Sequence, residues 1–259
     1  MAFETRGLGY VPDRVRAAHE TQDKQASSLV LPEATSAASV RKWVMSVLDQ
    51  LQIGSCVTNA GAQAVRVVHR RKGIPLPMLL SRLYAYYAGR VLEGTVSEDA
   101  GMQIRDFFRL LNKFGFVPES LYPYDLSKWQ EEPNDEIKRA GLDQRAPAVY
   151  HRITELGDAQ LTMMRRALSA GHPVVFGVDV DEAFCMNAFD PKANLERPAS
   201  GSGHCMMVEG YDSKGWIILN SWGATDFGDM GRCRFSDEYM ASATDNWIIS
   251  DAPYFSEAA

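Results

Sequence analysis

The sequence has few cysteines, no surplus of positive charge and no long apolar run, and each shortage closes off a class of function. Four cysteines (Cys56, Cys185, Cys205, Cys233) among 259 residues are too few and too scattered to frame a disulfide-stapled scaffold. No CxxC, HExxH or Cys/His cluster provides metal-ligand spacing, so neither a metal nor a cofactor is expected. A formal net charge of -6 gives no electrostatic reason to expect nucleic acid or an anionic membrane surface as a partner. No apolar stretch approaches the roughly 18 to 20 residues of a membrane span. The opening "MAFETRGLGYVPDR" lacks the apolar core of a secretory signal, which points to a reducing cytoplasmic setting or to export without a recognisable signal. Internal repeats and low-complexity segments are missing as well.

There is ample material for a core. Hydrophobic residues make up 46% and charged residues 23%, a balance that suits one globular protein of one or two closely joined domains. Residues 1–39 are polar and punctuated and read as an arm, partly extended, with at most one short helix. Residues 40–259 form the main domain. From 40 to about 150 the pattern is mostly helical: "SCVTNAGAQAVRVVHRRKG" places Ala60, Ala64, Val67 and Val68 on one side. "SRLYAYYAGRVLEG" and "GMQIRDFFRLLNKFG" follow, the latter closed by Gly115. "SKWQEEPNDEIKRAG" reads as a charged loop. From about 151 to 259 one helix, "TMMRRALSAG", precedes the strands "HPVVFGVDV", "HCMMVEGYD" and "GWIILNSW". A helical half followed by a β half is the make-up of an α+β protein with a cleft between two lobes.

Chemistry concentrates at Cys56. Ser55 is a good helix N-cap, which puts Cys56 in the first helical turn, where free N–H groups and the helix dipole favour a thiolate. Gln50 could offer an amide N–H that, with the Cys56 backbone N–H, stabilises an oxyanion. A small residue chosen for close helix packing is the other reading of Cys56 on local grounds. Among the histidines, His69 lies about 20 Å along the same helix at 1.5 Å per residue. His19 lies in the arm, His172 follows a C-cap glycine, and His151 has no informative neighbours. His204 stands at the mouth of a buried strand behind the side-chain-poor "SGSG". If Asp212, Ser213 and Lys214 form a three-residue hairpin loop, His204 opposes Trp222 and Asn220 opposes Met206. The side chains of His204 and Asn220 then share a face. A four-residue loop without a bulge would separate them. Asn220 could accept from the imidazole N–H and leave the other ring nitrogen for Cys56, a nucleophilic triad.

These residues resemble the papain family of cysteine peptidases. Gln50, Cys56, His204 and Asn220 stand in the family's order, with its spacings of six and sixteen. "LDQLQIGSCVTNA" is similar to the segment around the nucleophile in bacterial members, and "GHCMMVEGYDSKGWIILNSWGATDFGDMGRCRF" to the block from histidine to "NSWG". The likeness covers roughly residues 40 to 250. It implies a two-lobe fold, with a helical left lobe, a β-barrel-like right lobe and the active-site cleft between them. It also implies a polypeptide substrate, hydrolysed by an endopeptidase through a thioester acyl-enzyme. Cys56 would be the nucleophile, His204 the base and acid, Asn220 the group that orients the ring, and Gln50 part of the oxyanion hole. Trp222 would shield the His–Asn bond, although a plain core tryptophan is the other reading. The family's Gly-Gly backbone segment, which pairs with the substrate chain, would fall at Ala100-Gly101, and Gly203 would join it in substrate binding. Ile53 stands where secreted members carry a disulfide cysteine, and Val57 replaces the usual tryptophan. The arm is far shorter than the usual inhibitory propeptide, and it is expected to lie over the cleft in cis. The alternatives are an amidase or acyltransferase using the same triad, and a papain-like binding module that no longer catalyses.

Overall fold

The structure is a computed structural model, and it describes residues 6–14, 23–75, 77–145, 148–190 and 192–252; His19 lies outside them. Helix α1 (Cys56–Arg71) is the central element, with Cys56 through His69 all buried. A helix covered on nearly every side belongs to a core rather than to a surface. It packs against α2 (Arg82–Glu93), α3 (Ile104–Lys113) and the sheet. The Ser81 hydroxyl caps α2 by accepting from Tyr84 N at 3.1 Å.

The charged stretch expected as a loop contains a further helix, α4 (Asp135–Asp143). Asn134 Oδ1 accepts from Ile137 N at 3.0 Å, Asp135 and Glu136 occupy the first turn, and Ile137 is buried. A cap, two acids at the positive end of the dipole and one apolar anchor outweigh the polar composition.

The second half carries one open sheet. Its strands are β1 (Ala38–Ser39), β2 (Val149–Ile153), β3 (Val174–Val180), β4 (Asn194–Leu195), β5 (Ser202–Asp212), β6 (Gly215–Leu219), β7 (Arg232–Phe235) and β8 (Thr244–Asp251). They run β2-β8-β3-β5-β6-β7-β4, with β1 added to β5. The ladder does not close on itself, so the lobe is barrel-like only loosely. Helices α5 (Asp158–Ser169), α6 (Glu182–Asn187) and α7 (Asp237–Ala241) belong to this half, and α5 packs on β3 and β5. The expected α+β architecture of helical and β-rich lobes is observed.

The β5–β6 hairpin departs from the expected loop in a way that matters. Asp212 pairs with Gly215, leaving the two-residue turn Ser213-Lys214. Carried along unbroken, that register would put His204 and Asn220 on opposite faces, since a one-residue slip flips every side chain. It does not persist. Gly210 faces Ile217, but Val208 faces Ile218 and Met207 faces Leu219, so Glu209 is an extra residue in β5. The bulge restores the alignment that a three-residue loop would have given, by another route.

Glu209 is fully buried and held on both sides. Its carboxylate accepts from Arg232 Nε and Nη2, both at 2.7 Å, and its carbonyl accepts from Val40 N at 2.8 Å. Removing one partner of a buried bidentate pair strands a charge, whereas replacing both by apolar groups is far cheaper. Arg232→Met is therefore expected to cost about 3–5 kcal/mol in denaturant unfolding, and adding Glu209→Leu to recover most of it. A loss below about 1 kcal/mol in the single variant would show that the pair does not pin the bulge.

Candidate active site

Cys56 is the first residue of α1, and Ser55 occupies the N-cap position without capping through its side chain. The Ser55 hydroxyl is committed elsewhere, 2.6 Å from Tyr124 Oη and accepting from Asn59 Nδ2 at 3.0 Å. The loop before the thiol is fixed by Asp99, whose carboxylate accepts from Gly54 N at 2.9 and 3.1 Å and from Tyr86 Oη. Tyr86 Oη in turn accepts from Gly101 N at 3.1 Å. One carboxylate thus joins the Gly54–Cys56 loop to the segment expected to bind substrate. The sequence reading passed over Asp99, because a lone acid in "VSEDAG" carries no local signature.

The structure brings His204, Asn220 and Trp222 together. His204 Nε2 donates to Asn220 Oδ1 at 2.8 Å, and that oxygen also accepts from Ser221 N at 2.8 Å. The neutral ring therefore holds its proton on Nε2 and keeps its lone pair on Nδ1. Nδ1 is buried without a hydrogen-bond partner among the described residues. Trp222, 2% exposed, lies with its ring centroid 4.9 Å from that of His204, and Phe184 and Phe227 pack on Trp222 at 5.7 and 5.2 Å. Phe184 was not singled out from sequence. His69, His151 and His172 lie away from this group, on α1, on β2 and after α5.

Gln50 is fully buried. Its Oε1 accepts from Ser221 Oγ at 2.7 Å, which turns Nε2 toward Gly7 O at 2.8 Å and Ile53 O at 3.2 Å. Its backbone is held by Ser221 O at 2.8 Å and by Tyr124 Oη, also at 2.8 Å.

Residues 6–14 of the arm cross this group. Arg6 bonds Asp49 at 2.7 Å and Asp226 at 2.9 Å. Beyond Gly7 the chain pairs with Met102, through Met102 N to Gly9 O at 2.8 Å and Val11 N to Met102 O at 3.1 Å. The pairing falls one residue beyond Ala100-Gly101; Gly101, at φ +71°, supplies the room, since a Cβ there would lie 1.9 Å from Gly9 O. On the other lobe Tyr10 N donates to Gly203 O at 3.3 Å. The arm's own glycines permit this approach: a Cβ at Gly7 would sit 2.0 Å from Ile53 O, and one at Gly9 1.8 Å from Gly54 O.

Burial sets the protonation of the site. The Cys56 thiol is pushed up to about 11, chiefly by desolvation, although backbone N–H groups of Cys205, Gly9, Val57 and Cys56 pull the other way. The His204 imidazole is pushed down to about 4 by desolvation, opposed by its bond to Asn220. The dipole effect expected at the start of α1 is outweighed. Both shifts have the same sense: burial favours the uncharged thiol and the uncharged imidazole.

A family model described as papain family cysteine protease matches residues 31–246. An uncharacterized peptidase C1-like protein of Acanthamoeba polyphaga mimivirus is 31% identical over 220 residues, which are 80% of this chain and 70% of that protein. Xylellain, a cysteine protease from Xylella fastidiosa, superposes with a TM-score of 0.81 at 26% identity, over 96% of this chain and 98% of that one. Digestive procathepsin L 3 of Tenebrio molitor larval midgut shares the fold, with a TM-score of 0.64 at 19% identity over 96% of this chain and 77% of that one.

Asp99→Ala is expected to cost about 1–2 kcal/mol of stability, from the lost acceptors on Gly54 N and Tyr86 Oη. It should also slow turnover several-fold by letting the Gly54–Cys56 loop shift. Asp99→Asn, whose amide oxygen still accepts from Gly54 N, should retain most of both. Equal effects of the two variants in denaturant unfolding and peptide turnover would show that the charge matters rather than the acceptor.

Proposed function

Because this chain belongs to the papain family of cysteine proteases, and is a hydrolase of the cysteine peptidase type, we propose that it is an endopeptidase working through Cys56, His204, Asn220 and Gln50. The observation that carries the reading is the bond from His204 Nε2 to Asn220 Oδ1 at 2.8 Å, which leaves Nδ1 as the base.

The thiol proton passes to Nδ1 as Sγ attacks the peptide carbonyl carbon. The carbonyl oxygen takes the negative charge and faces Gln50 Nε2 and the Cys56 backbone N–H. The imidazolium then protonates the leaving amine, the C–N bond breaks, and a thioester remains. His204 next takes a proton from water, whose oxygen displaces the thiol and releases the acid. Asn220 holds the ring in one tautomer throughout, and Trp222 keeps water off the bond that does so.

Residues 1 to about 38 act in cis as a restraint on this machinery. Gly7 O takes the Gln50 amide proton intended for the oxyanion, and the Gly9 backbone lies against the thiol. With the arm in place both groups are fully buried, and that burial favours the neutral thiol and the neutral imidazole. With the arm lifted, water returns, the helix dipole is no longer outweighed, and the thiolate–imidazolium pair can form.

Labelling with an epoxysuccinyl peptide at neutral pH, read by mass spectrometry, tests both parts. Label should fall on Cys56, vanish in Cys56→Ser and drop by at least about a hundredfold in His204→Ala. Gly9→Ala, whose methyl group would strike Gly54 O, and deletion of residues 1–38 should each raise the labelling rate by about tenfold or more. An unchanged rate in both folded variants would remove the restraint from the reading. Failure of Cys56 to react even in folded Gly9→Ala would favour a papain-like binding module.

A further inference from the structure

A cavity of about 770 Å³ opens beside the cleft, bordered by Tyr10, Asp13, Arg152, Thr244 and Asp245. The arm places one ring at it, that of Tyr10, which is 6% exposed. Room for the ring is made by Gly177, where a Cβ would lie 2.1 Å from Tyr10 Cζ. At the floor the phenol donates to Asp245 Oδ2 at 2.6 Å, and Thr244 Oγ1 lies 2.6 Å from Tyr10 Oη. The phenol has one proton, which goes to the carboxylate, so the threonine hydroxyl donates to it.

We propose that Asp245 determines substrate specificity, and that it selects a phenol side chain in the polypeptide that replaces the arm. This rests on the peptidase reading of the cleft. The pocket combines a flat slot lined by glycine, a carboxylate acceptor and a hydroxyl donor, the groups that a tyrosine side chain satisfies together. A carboxylate floor by itself would also suit lysine or arginine, but its other oxygen decides against them. Asp245 Oδ1 is bonded to Arg152 Nη2 at 2.8 Å. When the arm departs it takes Asp13 and Asp23, the other acids near Arg152 at 3.9 and 4.0 Å. It also removes the Tyr10 hydroxyl and Asp13 N, the latter at 2.7 Å, from Asp245 Oδ2. What remains is a carboxylate already neutralised by Arg152, with one oxygen open to a donor. An incoming cation meets Arg152, whereas a neutral hydroxyl on a ring does not. Phenylalanine fits the slot but leaves the carboxylate oxygen and the threonine hydroxyl unpaired, the situation that gives hydroxyl-reading sites their discrimination. Asp245 has φ +50°, a backbone that Asn and Asp tolerate better than most residues, so Asn is the conservative replacement.

The test uses the full chain carrying Gly9→Ala and Tyr10→Ala, with fluorogenic peptides in which each position in turn is Tyr, Phe, Leu or Arg. At one position Tyr should exceed Phe in kcat/KM by about tenfold or more, with Arg below Phe. Asp245→Asn should shrink the Tyr/Phe ratio several-fold, chiefly by lowering kcat/KM for the Tyr peptide. A second readout needs no turnover. In the same chain with Cys56→Ser, a labelled peptide of residues 6–14 should bind about tenfold more tightly than its Phe analogue, measured by fluorescence polarisation, and Asp245→Asn should narrow that gap. Tyr10→Phe in the otherwise native chain should likewise loosen the arm and speed epoxysuccinyl labelling of Cys56. Equal Tyr and Phe in both turnover and binding, or a preference for Arg, overturns the proposal. Binding that favours Tyr in a chain that cleaves no peptide would support the pocket's chemistry and count against the peptidase reading instead.

Discussion

One extra residue in one strand decides where the imidazole points. Side chains on a strand alternate, so the two-residue turn at Ser213-Lys214 would by itself aim His204 and Asn220 apart. Glu209 reverses that parity, and its own requirements are severe: a fully buried carboxylate must have strong donors. Arg232 comes from β7 and the Val40 N–H from beside β1, so two neighbours of β5–β6 meet at the same residue. The bond between His204 and Asn220 is therefore a property of four strands rather than of one hairpin. The Trp222, Phe184 and Phe227 cluster then packs over an imidazole already aimed.

A second competition, between dipole and dehydration, governs the thiol. A helix N-terminus typically favours a negative charge by about 0.3–1 kcal/mol, whereas taking a lone charge out of water costs several kcal/mol. In the folded chain, where Cys56 is fully buried, the larger effect favours the protonated thiol. The helix start therefore sets up reactivity that depends on what covers it. On this view the arm acts by controlling solvent as well as by filling space.

How far the sequence revealed the molecule depended on whether the signal was local. The long helices were legible from period and punctuation, as in Cys56–Arg71 and Arg82–Glu93. The fold class followed, and the spacing of Gln50, Cys56, His204 and Asn220 pointed to one group, of which the structure links Gln50, Asn220 and His204 through Ser221 and sets Cys56 at the start of α1. Helix α4 was hidden because nine mostly polar residues show little beyond the Asn134 cap and Ile137. The bulge was hidden because nothing in "MMVEGYD" announces an unpaired residue until Arg232, more than twenty positions later, is seen to reach it. Asp99, Tyr10 and Asp245 were hidden for the same reason, since each takes its meaning from partners on distant segments. The arm pairs with Met102, next to Ala100-Gly101, in a register along one rim that spacing alone does not fix.

The glycines at 7 and 9 let the arm lie within backbone contact of Ile53 and Gly54, and that closeness has a kinetic meaning. An occupant tethered in cis acts at an effective concentration fixed by its tether, of millimolar order for short flexible ones. Any free polypeptide competes against that concentration whatever the dilution of the protein. If the arm is open for a fraction f of the time, the apparent dissociation constant of every competitor rises by 1/f, about a hundredfold for an arm closed 99% of the time. Weak encounters are then suppressed in the same proportion as strong ones, but only the strong ones stay within reach of cellular concentrations. Under the restraint proposed above, the arm would set a threshold of affinity, which a long chain making many contacts could cross where a dipeptide could not.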